Sequence, residues 1–395
     1  MNEKIIRIAA RGDGVTASGK HAALAAPGDI LTDGGQIEHG PHHTDPACRH
    51  FPTCGGCQLQ HLDEVALAAY VTDRIVGGLA AQGVDAPEMR LPHLSPARTR
   101  RRASLRAERR GKQILIGFHE SGTHKIVDLR ECPVLHPALF ALIQPLRGLL
   151  VTLIKDRRSA DVRMTVTDTG VDLLIAKIEV EGLAATEALT DFALTNKLAR
   201  LSIDEGYGAS ARWEPDPVTV TLSGVPVVMP EGAFLQATAD GEDALVSAVR
   251  AVTEGAEHVA DLFAGLGTFA LSVPGAVHAV EGARDAALGL QAAAKAAGRD
   301  MVVEHRDLFR RPLTVQELAR FDVVILDPPR AGAREQIEQL AASTVPRIAY
   351  VSCNPASFAR DAKTLIEGGY MLKNIQPVGQ FRWSTHVELA AAFHR

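Results

Sequence analysis

The spacing of apolar residues changes several times along this chain of 395 residues. The first forty residues place short apolar runs between glycine-containing turns, as at Gly12-Asp13-Gly14 and Pro27-Gly28-Asp29. Short strands that are separated by turns at this interval are typical of small β-barrels. The pattern therefore predicts a small β-barrel at residues 1–40.

Residues 62–82 place apolar side chains at the spacing of an α-helix, and mainly strand-like patterns follow. We predict strands at residues 103–109, 113–118, 125–129, 161–166, 171–178 and 218–222, with a helix between the last two at residues 183–201. This part of the chain is therefore expected to form a β-rich central domain over residues 41–230.

In the remaining chain, strand patterns alternate with helix patterns. We predict strands at residues 259–263, 277–281, 301–303, 323–327 and 348–352. The alternation predicts a domain of the α/β class with a doubly wound parallel sheet over residues 231–395. Ligands bind to such sheets beyond the carboxyl ends of the strands, so the residues that follow each strand are the first candidates for a site.

The first of these strands leads into Asp261-Leu-Phe263-Ala-Gly265-Leu-Gly267. Two glycines let the backbone approach a ligand, but the third glycine of the dinucleotide fingerprint is missing, and an acidic residue at the strand end would repel a pyrophosphate. Glu281, at the end of the second strand, is placed to accept hydrogen bonds from ribose hydroxyls. Together with Asp307, these residues favour a nucleoside ligand without pyrophosphate, namely S-adenosylmethionine.

The fourth and fifth strands end in two further motifs. Asp327-Pro-Pro-Arg330 combines a carboxylate with a loop that two prolines stiffen. Cys353, in Tyr-Val-Ser-Cys-Asn-Pro, falls on a turn between the fifth strand and a helix. We expect the helix N-terminus to lower the pKa of this thiol, which would make Cys353 a reactive nucleophile and not a buried structural cysteine.

The other four of the five cysteines are Cys48, Cys54, Cys57 and the distant Cys132, which precedes a proline. Four thiols of this kind can bind zinc or an iron-sulfur cluster. Three clustered cysteines and one distant cysteine before proline favour a [4Fe-4S] cluster, since zinc sites more often have two matched pairs.

Charge and hydropathy bear on two further questions, whether the protein binds nucleic acid and where in the cell it is found. The net charge of -5 argues against a nucleic-acid binder, but residues 98–112 hold eight cations that could contact phosphates. They are Arg98, Arg100, Arg101, Arg102, Arg106, Arg109, Arg110 and Lys112. The chain contains no apolar run of 18 residues and no signal-peptide pattern at its N-terminus, so we expect a cytoplasmic protein.

These motifs together resemble the family of RNA uracil-5-methyltransferases over nearly the whole chain. The resemblance is closest to the branch that carries a TRAM-like barrel, a [4Fe-4S] cluster and a C-terminal Rossmann-like class I methyltransferase domain, and that modifies bacterial 23S ribosomal RNA. The motifs that carry it are the four cysteines just described, Phe234-Leu-Gln236, Asp261 to Gly267, Glu281, Asp327 to Arg330, Ser352-Cys-Asn-Pro355 and Thr385-His-Val-Glu388.

The resemblance implies a role for each site residue. Cys353 would attack C6 of uracil, and Glu388 would remove the C5 proton after methylation. The uridine would be flipped out of its RNA. The residues implied in binding S-adenosylmethionine and the substrate are Gln236, Asp261, Phe263, Gly265, Gly267, Glu281, Asp307 and Asp327.

The chain also departs from the family pattern, because Ala293 and Ala297 stand where asparagines are common and Arg382-Trp383 replaces a proline. Two alternatives stay open, a tRNA uracil-5-methyltransferase and a non-catalytic iron-sulfur RNA-binding protein. A cytosine-5-methyltransferase fits less well, because it carries its thiol where Arg330 stands here.

Overall fold

A computed structural model describes residues 2–395 of the chain. Its helices are α1 (Glu64–Ala80), α2 (Pro137–Ala141), α3 (Ile143–Leu153), α4 (Leu183–Thr195), α5 (Ala239–Thr253), α6 (Arg284–Ala296), α7 (Val315–Leu318), α8 (Arg334–Ala341) and α9 (Pro355–Glu367). None of the helices within residues 2–395 is both long and apolar enough to cross a membrane.

The strands come in two stretches. Those before residue 230 are β1 (Glu3–Ile8), β2 (Gly14–Thr16), β3 (His21–Ala22), β4 (Ile30–Leu31), β5 (Ile37–Glu38), β6 (Glu88–Met89), β7 (His93–Leu94), β8 (Arg102–Arg110), β9 (Gln113–Gly117), β10 (Ser159–Thr167), β11 (Gly170–Ala176), β12 (Leu198–Asp204), β13 (Ala209–Trp213), β14 (Thr219–Leu222) and β15 (Val225–Val228). Those after it are β16 (His258–Leu262), β17 (Ala276–Glu281), β18 (Met301–His305), β19 (Val323–Leu326), β20 (Arg347–Ser352), β21 (Met371–Gly379) and β22 (Glu388–His394).

The chain forms two compact units. The first comprises the residues up to Leu67, Pro96–Val220 and Arg382–Thr385. The second comprises Ala68–Ser95, Thr221–Phe381 and His386–Arg395.

The first unit begins with a five-stranded antiparallel sheet in the order β3-β2-β1-β4-β5. Its small core contains Ile5, Ala22 and Ala25. Asp29 is fully buried, and its carboxylate accepts hydrogen bonds from the backbone N–H groups of Ala26 and Gly40, both at 2.7 Å. These bonds supply the hydrogen-bond partners that a buried carboxyl group needs. A curled β-sheet therefore lies where the glycine-rich pattern predicted a small barrel.

The rest of the first unit contains a six-stranded sheet in the order β13-β12-β11-β10-β8-β9. Apolar residues alternate along β8, so that Ala103, Leu105 and Ala107 lie in one core with residues of α2, α3 and α4. Ser104 and Arg106 point to the other face, because successive strand residues face opposite sides. The helices thus cover one face of this sheet.

Two details of the predicted central domain were wrong. Residues 125–129 do not form a strand, although His119 and Ile126 form an isolated bridge. The segment nevertheless runs beside β9, since the Val127 and Leu129 N–H groups donate to the carbonyls of Phe118 and Ile116 at 2.9 and 3.0 Å. A Cβ atom at Gly117 would lie 2.0 Å from the Val127 carbonyl oxygen. The helix predicted to reach residue 201 ends at Thr195, because apolar Leu198–Asp204 is the buried strand β12.

The second unit contains the large sheet in the order β18-β17-β16-β19-β20-β22-β21-β6, with β7 also paired to β21. Strands β16 to β20 are parallel, as predicted, and helices follow most of them. Strand β22 runs antiparallel to both of its neighbours. The α/β, Rossmann-like class is confirmed, and the strand order changes direction at β16, which is where such sheets bind ligands.

Candidate functional site

The candidate site lies along the carboxyl edge of the large sheet. Leu262 is paired with both Val280 and Leu326, and Leu326 is paired with Tyr350. Because these strands are parallel and in step, the residues that follow them meet at one edge. The structure therefore brings together the predicted site residues Asp261, Glu281, Asp327 and Cys353.

The loop after β16 is built by two glycines and two carboxylates. The Gly265 N–H donates to Glu281 Oε2 at 2.7 Å, and the Ala270 N–H donates to Asp261 Oδ2 at 2.8 Å. Gly267 has a φ of 92°, and a Cβ atom there would lie 2.3 Å from Leu290 Cδ1. A Cβ atom at Gly265 would meet nothing within 4 Å. The loop is thus tight against the protein at Gly267 and borders open space at Gly265.

Aromatic rings and a further carboxylate stand beside this loop. Phe263 has a φ of 66°, which is uncommon for a residue other than glycine. Its ring lies 5.4 Å from the ring of Phe309. Asp307 follows β18 and accepts a hydrogen bond from the Phe309 N–H at 3.0 Å. The predicted residues Phe263 and Asp307 are thereby linked through Phe309.

Cys353 lies between β20 and α9, as predicted, and is half-buried. The prediction of a lowered pKa was wrong. Burial first, and then the charges of Glu388 and Asp327, raise the pKa of the thiol above its ordinary value, while Arg330 lowers it. Asn354 caps the helix, since its side chain accepts from the Ala356 N–H at 3.1 Å. This N–H group of the helix terminus is therefore bonded to Asn354.

The carboxyl groups around the thiol have raised pKa values. Burial raises the pKa of Asp327 to about 7. Burial and the charge of Asp327 raise the pKa of Glu388 to about 8. The same two causes, in that order, hold the pKa of Asp261 well above its usual range. The edge of the sheet therefore holds acids that change charge near neutral pH, which is typical of functional sites.

Gln380 is a site residue that the sequence reasoning missed. Its side chain is buried, and Oε1 accepts hydrogen bonds from the N–H groups of Ala237 and Thr238 at 2.8 and 3.3 Å. Nε2 donates to Gln236 Oε1 at 2.7 Å, and the amide also bonds to Glu388. Two backbone donors fix which end of the amide is oxygen. Gln380 thus orients both Gln236 and Glu388.

The only sequence signal for Gln380 is one glutamine directly after β21, shortly before the motif that ends in Glu388. The same motif contains His386, whose Nδ1 lies 3.2 Å from Arg330 Nη2. Gln236 is also buried. The predicted residues Gln236 and Glu388 therefore belong to one hydrogen-bonded group.

The four remaining cysteines line a single cavity in the first unit. Cys48 and Cys54 are buried, and Cys57 and Cys132 are half-buried. Burial raises the pKa of each of these thiols, that of Cys57 to about 12. Among residues 2–395, no group of His, Cys, Asp or Glu side chains is arranged around one point at which a metal ion could sit.

The predicted cationic patch at residues 98–112 does not form one uniform surface. Arg106 bonds to the Asp161 carboxylate, and Arg110 Nε lies 2.6 Å from Glu108 Oε1. Arg109 donates to the Ile154 carbonyl at 3.0 Å. Arg100, Arg101 and Arg102 also have partners within the described residues, so at least six of the eight cations are held by groups of the protein.

Comparison with known proteins assigns the family. The family model for tRNA (uracil-5-)-methyltransferases matches residues 299–395. An uncharacterised RNA methyltransferase of Zymomonas mobilis is 51% identical over 393 residues, which is 99% of each chain. The 23S rRNA (uracil(1939)-C(5))-methyltransferase RlmD of Pectobacterium carotovorum is 29% identical over 370 residues, covering 90% of this chain and 82% of that one.

The fold is also similar to that of a solved structure. The crystal structure of Pyrococcus abyssi tRNA (uracil-54, C5)-methyltransferase in complex with S-adenosyl-L-homocysteine has a TM-score of 0.74 and 23% identity, and the match covers 100% of this chain and 99% of that one. The alternative of a non-catalytic RNA-binding protein does not agree with these relatives. The chain belongs to the family of S-adenosylmethionine-dependent RNA uracil-5-methyltransferases.

Proposed function

We propose that this protein methylates C5 of a uridine in 23S ribosomal RNA through a covalent bond between Cys353 and C6 of the uracil. The observation that carries the proposal is the common environment of Cys353, Glu388 and Asp327, whose charges act on one another at the edge of the large sheet. In this assignment, residues 1–40 and 41–230 bind RNA, and residues 231–395 carry the chemistry.

Cys353 acts as the nucleophile. C5 of uracil is a weak nucleophile, but a bond from Sγ to C6 places the electron pair on C5 as an enolate. The thiol is half-buried, and its pKa is raised. It therefore rests as a neutral thiol, and its proton has to leave before or during the attack on C6. Glu388 and Asp327, whose charges act on the thiol, are the proposed acceptors for that proton.

Glu388 acts as the base. Once C5 carries the methyl group, its remaining proton moves to the Glu388 carboxylate, the enolate forms again, and the C6–Sγ bond breaks to release the Cys353 thiolate. A pKa of about 8 makes this carboxylate a stronger base than an exposed glutamate. The hydrogen bond from Gln380 holds it in place.

The loop between β16 and β17 fits the methyl donor. S-adenosylmethionine supplies an electrophilic methyl group on a sulfonium ion. The open space at Gly265 and the half-buried Glu281 leave room for a nucleoside beside the loop. Gln236, Asp261, Phe263, Gly267, Asp307 and Asp327 complete the proposed pocket.

Cys48, Cys54, Cys57 and Cys132 are proposed to hold a [4Fe-4S] cluster. Four thiols around one cavity supply the donors that such a cluster needs. Three clustered cysteines and one distant cysteine before a proline are typical of a cluster, whereas zinc sites more often have two matched pairs. The donor set therefore fits a cluster better than a single ion, and the cluster would supply a rigid crosslink between Cys132 and the loop of the other three.

The choice of 23S rRNA rests on the four-cysteine motif and on the likeness to RlmD over 90% of this chain. Transfer RNA is the second candidate, because the family model carries that name and the fold matches the Pyrococcus abyssi enzyme over the whole chain. Mass-spectrometric mapping of 5-methyluridine in ribosomal and transfer RNA, from cells with and without the gene, tests both. Loss at a 23S position supports the proposal, loss in tRNA moves the substrate, and no loss contradicts it.

A further inference from the structure

A separate cavity lies on the face of the six-stranded sheet that α2, α3 and α4 leave open. Its volume is about 530 Å³, within the range of roughly 300–1,000 Å³ that is usual for ligand sites. Its floor is formed by Ser104 and Arg106 of β8, and its wall by residues 117–124. The wall is tied to the cysteine loop, since the Gly55 N–H donates to the His119 carbonyl at 2.9 Å.

Three side chains that line this cavity are available to a ligand. Ser104, His119 and His124 are exposed, and their side chains make no hydrogen bond or ion pair with any part of the chain between residues 2 and 395. The rings of His119 and His124 lie 6.0 Å apart and are nearly perpendicular, at 89°. Together with the half-buried ring of Phe118, they give the cavity an aromatic side.

A cation stands beside the same cavity. Arg163 of β10 is paired directly with Ser104 of β8, so the two side chains project from the same face of the sheet. Arg163 is exposed, and within the described residues its guanidinium has no hydrogen-bond or ion-pair partner. In contrast, Asp161 is bonded to Arg106 and lies 2.8 Å from Lys177 Nζ. Two cations therefore already balance Asp161, and Lys125 Nζ lies 3.9 Å from the carboxylate of Glu120, the other acidic residue of the lining. The positive charge of Arg163 remains available.

We propose that this cavity receives one unstacked nucleotide of the RNA substrate, with its base against His119 and His124 and its phosphate at Arg163. RNA-binding proteins read single-stranded bases by stacking on aromatic rings and by hydrogen bonds to base edges, and arginine binds the phosphates. An enzyme that flips a uridine out of a folded RNA also disturbs the stacking of its neighbours. The inference rests on RNA as the substrate and not on the covalent step at Cys353.

The first test measures binding of the shortest RNA hairpin that the full-length protein recognises, with fluorescence anisotropy as the readout. A double variant, His119→Ala with His124→Ala, should bind this hairpin about tenfold more weakly, as is typical of a lost stacking contact. A series of hairpins that each lack one base identifies the nucleotide. At one position the wild-type protein should lose affinity, while the double variant should lose nothing further.

The second test measures how the positive charge of Arg163 contributes to RNA binding. Arg163→Ala should weaken RNA binding and reduce the slope of log Kd against log salt by about one. Arg157→Ala is the matched control, because Arg157 is also exposed but precedes β10, whereas Arg163 is paired with Ser104 of the cavity floor. It should leave both quantities unchanged.

Two results would overturn the inference. One is unchanged RNA affinity in the double histidine variant and in Arg163→Ala. The other is a loss of affinity in the double variant that no missing base cancels, because the cavity would then support RNA binding without holding a base. Both results are measured by RNA binding alone. Failure of the proposed methylation would instead appear as absent 5-methyluridine with RNA binding intact, so the two failures can be distinguished.

Discussion

The two groups of thiols in this protein, Cys353 and the four cysteines of the first unit, are both affected by burial but have different neighbouring groups. Burial is the largest cause that raises the pKa of Cys353 and of the four cysteines that line the cavity of the first unit. Cys353 has carboxyl groups and one arginine around it, whereas the other four thiols have mainly one another. A lone thiol among carboxyl groups is suited to a transient covalent bond. Four thiols that face one cavity become stable thiolates only with a cation between them.

The largest loss of activity is expected when the lone thiol is removed. Cys353→Ala should abolish methyl transfer, because no other thiol belongs to the site residues at the edge of the large sheet. The variant should still bind RNA and keep the iron of the proposed cluster, which separates the two groups of thiols. Incorporation of labelled methyl groups into RNA and the iron content of the purified protein are the measurements. Residual turnover near the wild-type rate would contradict the covalent mechanism.

Glu388→Gln should be the next largest change. Loss of a general base typically costs about 10²–10⁴-fold in rate. Since the attack on C6 and the methyl transfer come before proton removal, the variant should accumulate RNA that is covalently bound to Cys353. A denaturing gel resolves that adduct, and the double variant with Cys353→Ala is its control. A slow variant without any adduct would mean that Glu388 acts before C6 is attacked.

The wild-type protein should show a rate that increases with pH. Both Glu388, with a pKa of about 8, and Cys353, with a raised pKa, must lose a proton to act. A raised pKa means that the active, ionised form is scarce below it. Because two groups must ionise, the single-turnover rate should increase by up to about a hundredfold per pH unit below pH 8. A rate that is flat between pH 6 and about 8 would show that neither ionisation limits the reaction.

Gln380→Leu should have a smaller effect with a distinct signature. The hydrogen bond from Gln380 lowers the pKa of Glu388, so its loss should move the pH midpoint of the rate upward. A hydrogen bond to a charged group is worth roughly 1.5–3 kcal/mol, which corresponds to about a tenfold to hundredfold loss in rate at neutral pH. Gln376→Leu is the control, because that amide donates to the carbonyls of Leu91 and Pro377. A lower rate with an unchanged pH midpoint would rule out the positioning role.

Replacement of a cysteine in the other group of thiols is expected to change the rate of methyl transfer least. Cys54→Ser should remove the iron and sulfide of the proposed cluster. It should also lower RNA affinity several-fold, because the backbone around Cys54 pairs with Glu120 in the wall of the cavity on the uncovered face of the six-stranded sheet. Binding of S-adenosylmethionine, measured by calorimetry, should not change. If the variant kept its iron, the ligand assignment would be wrong, and if it lost iron but bound RNA normally, the link to the cavity wall would be wrong.

The fold class, and the position of several candidate site residues along the chain, were predictable from local patterns. Strand periodicity located β16, β17, β19 and β20, and the residues after them form the edge of the sheet. The antiparallel strand β22 and the added strands β6 and β7 were not predicted, because no local pattern states which strand an apolar segment will pair with. Residues 125–129, which were predicted as a strand, do lie beside β9 and donate two hydrogen bonds, to Phe118 and Ile116, but they do not form a strand of the sheet.

The sequence by itself determined which chemical groups this protein carries and where along each strand they stand, because strand and helix periods and glycine turns are encoded within a few residues. Only the tertiary structure decided how these groups behave. Gln236 and Gln380 are 144 positions apart, and burial and distant carboxyl groups reversed the expected pKa shift of Cys353. Arg106 is paired whereas Arg163 is available, because the partner of an arginine depends on the neighbouring strand. Burial and charge interactions depend on distances in space, which local sequence does not specify.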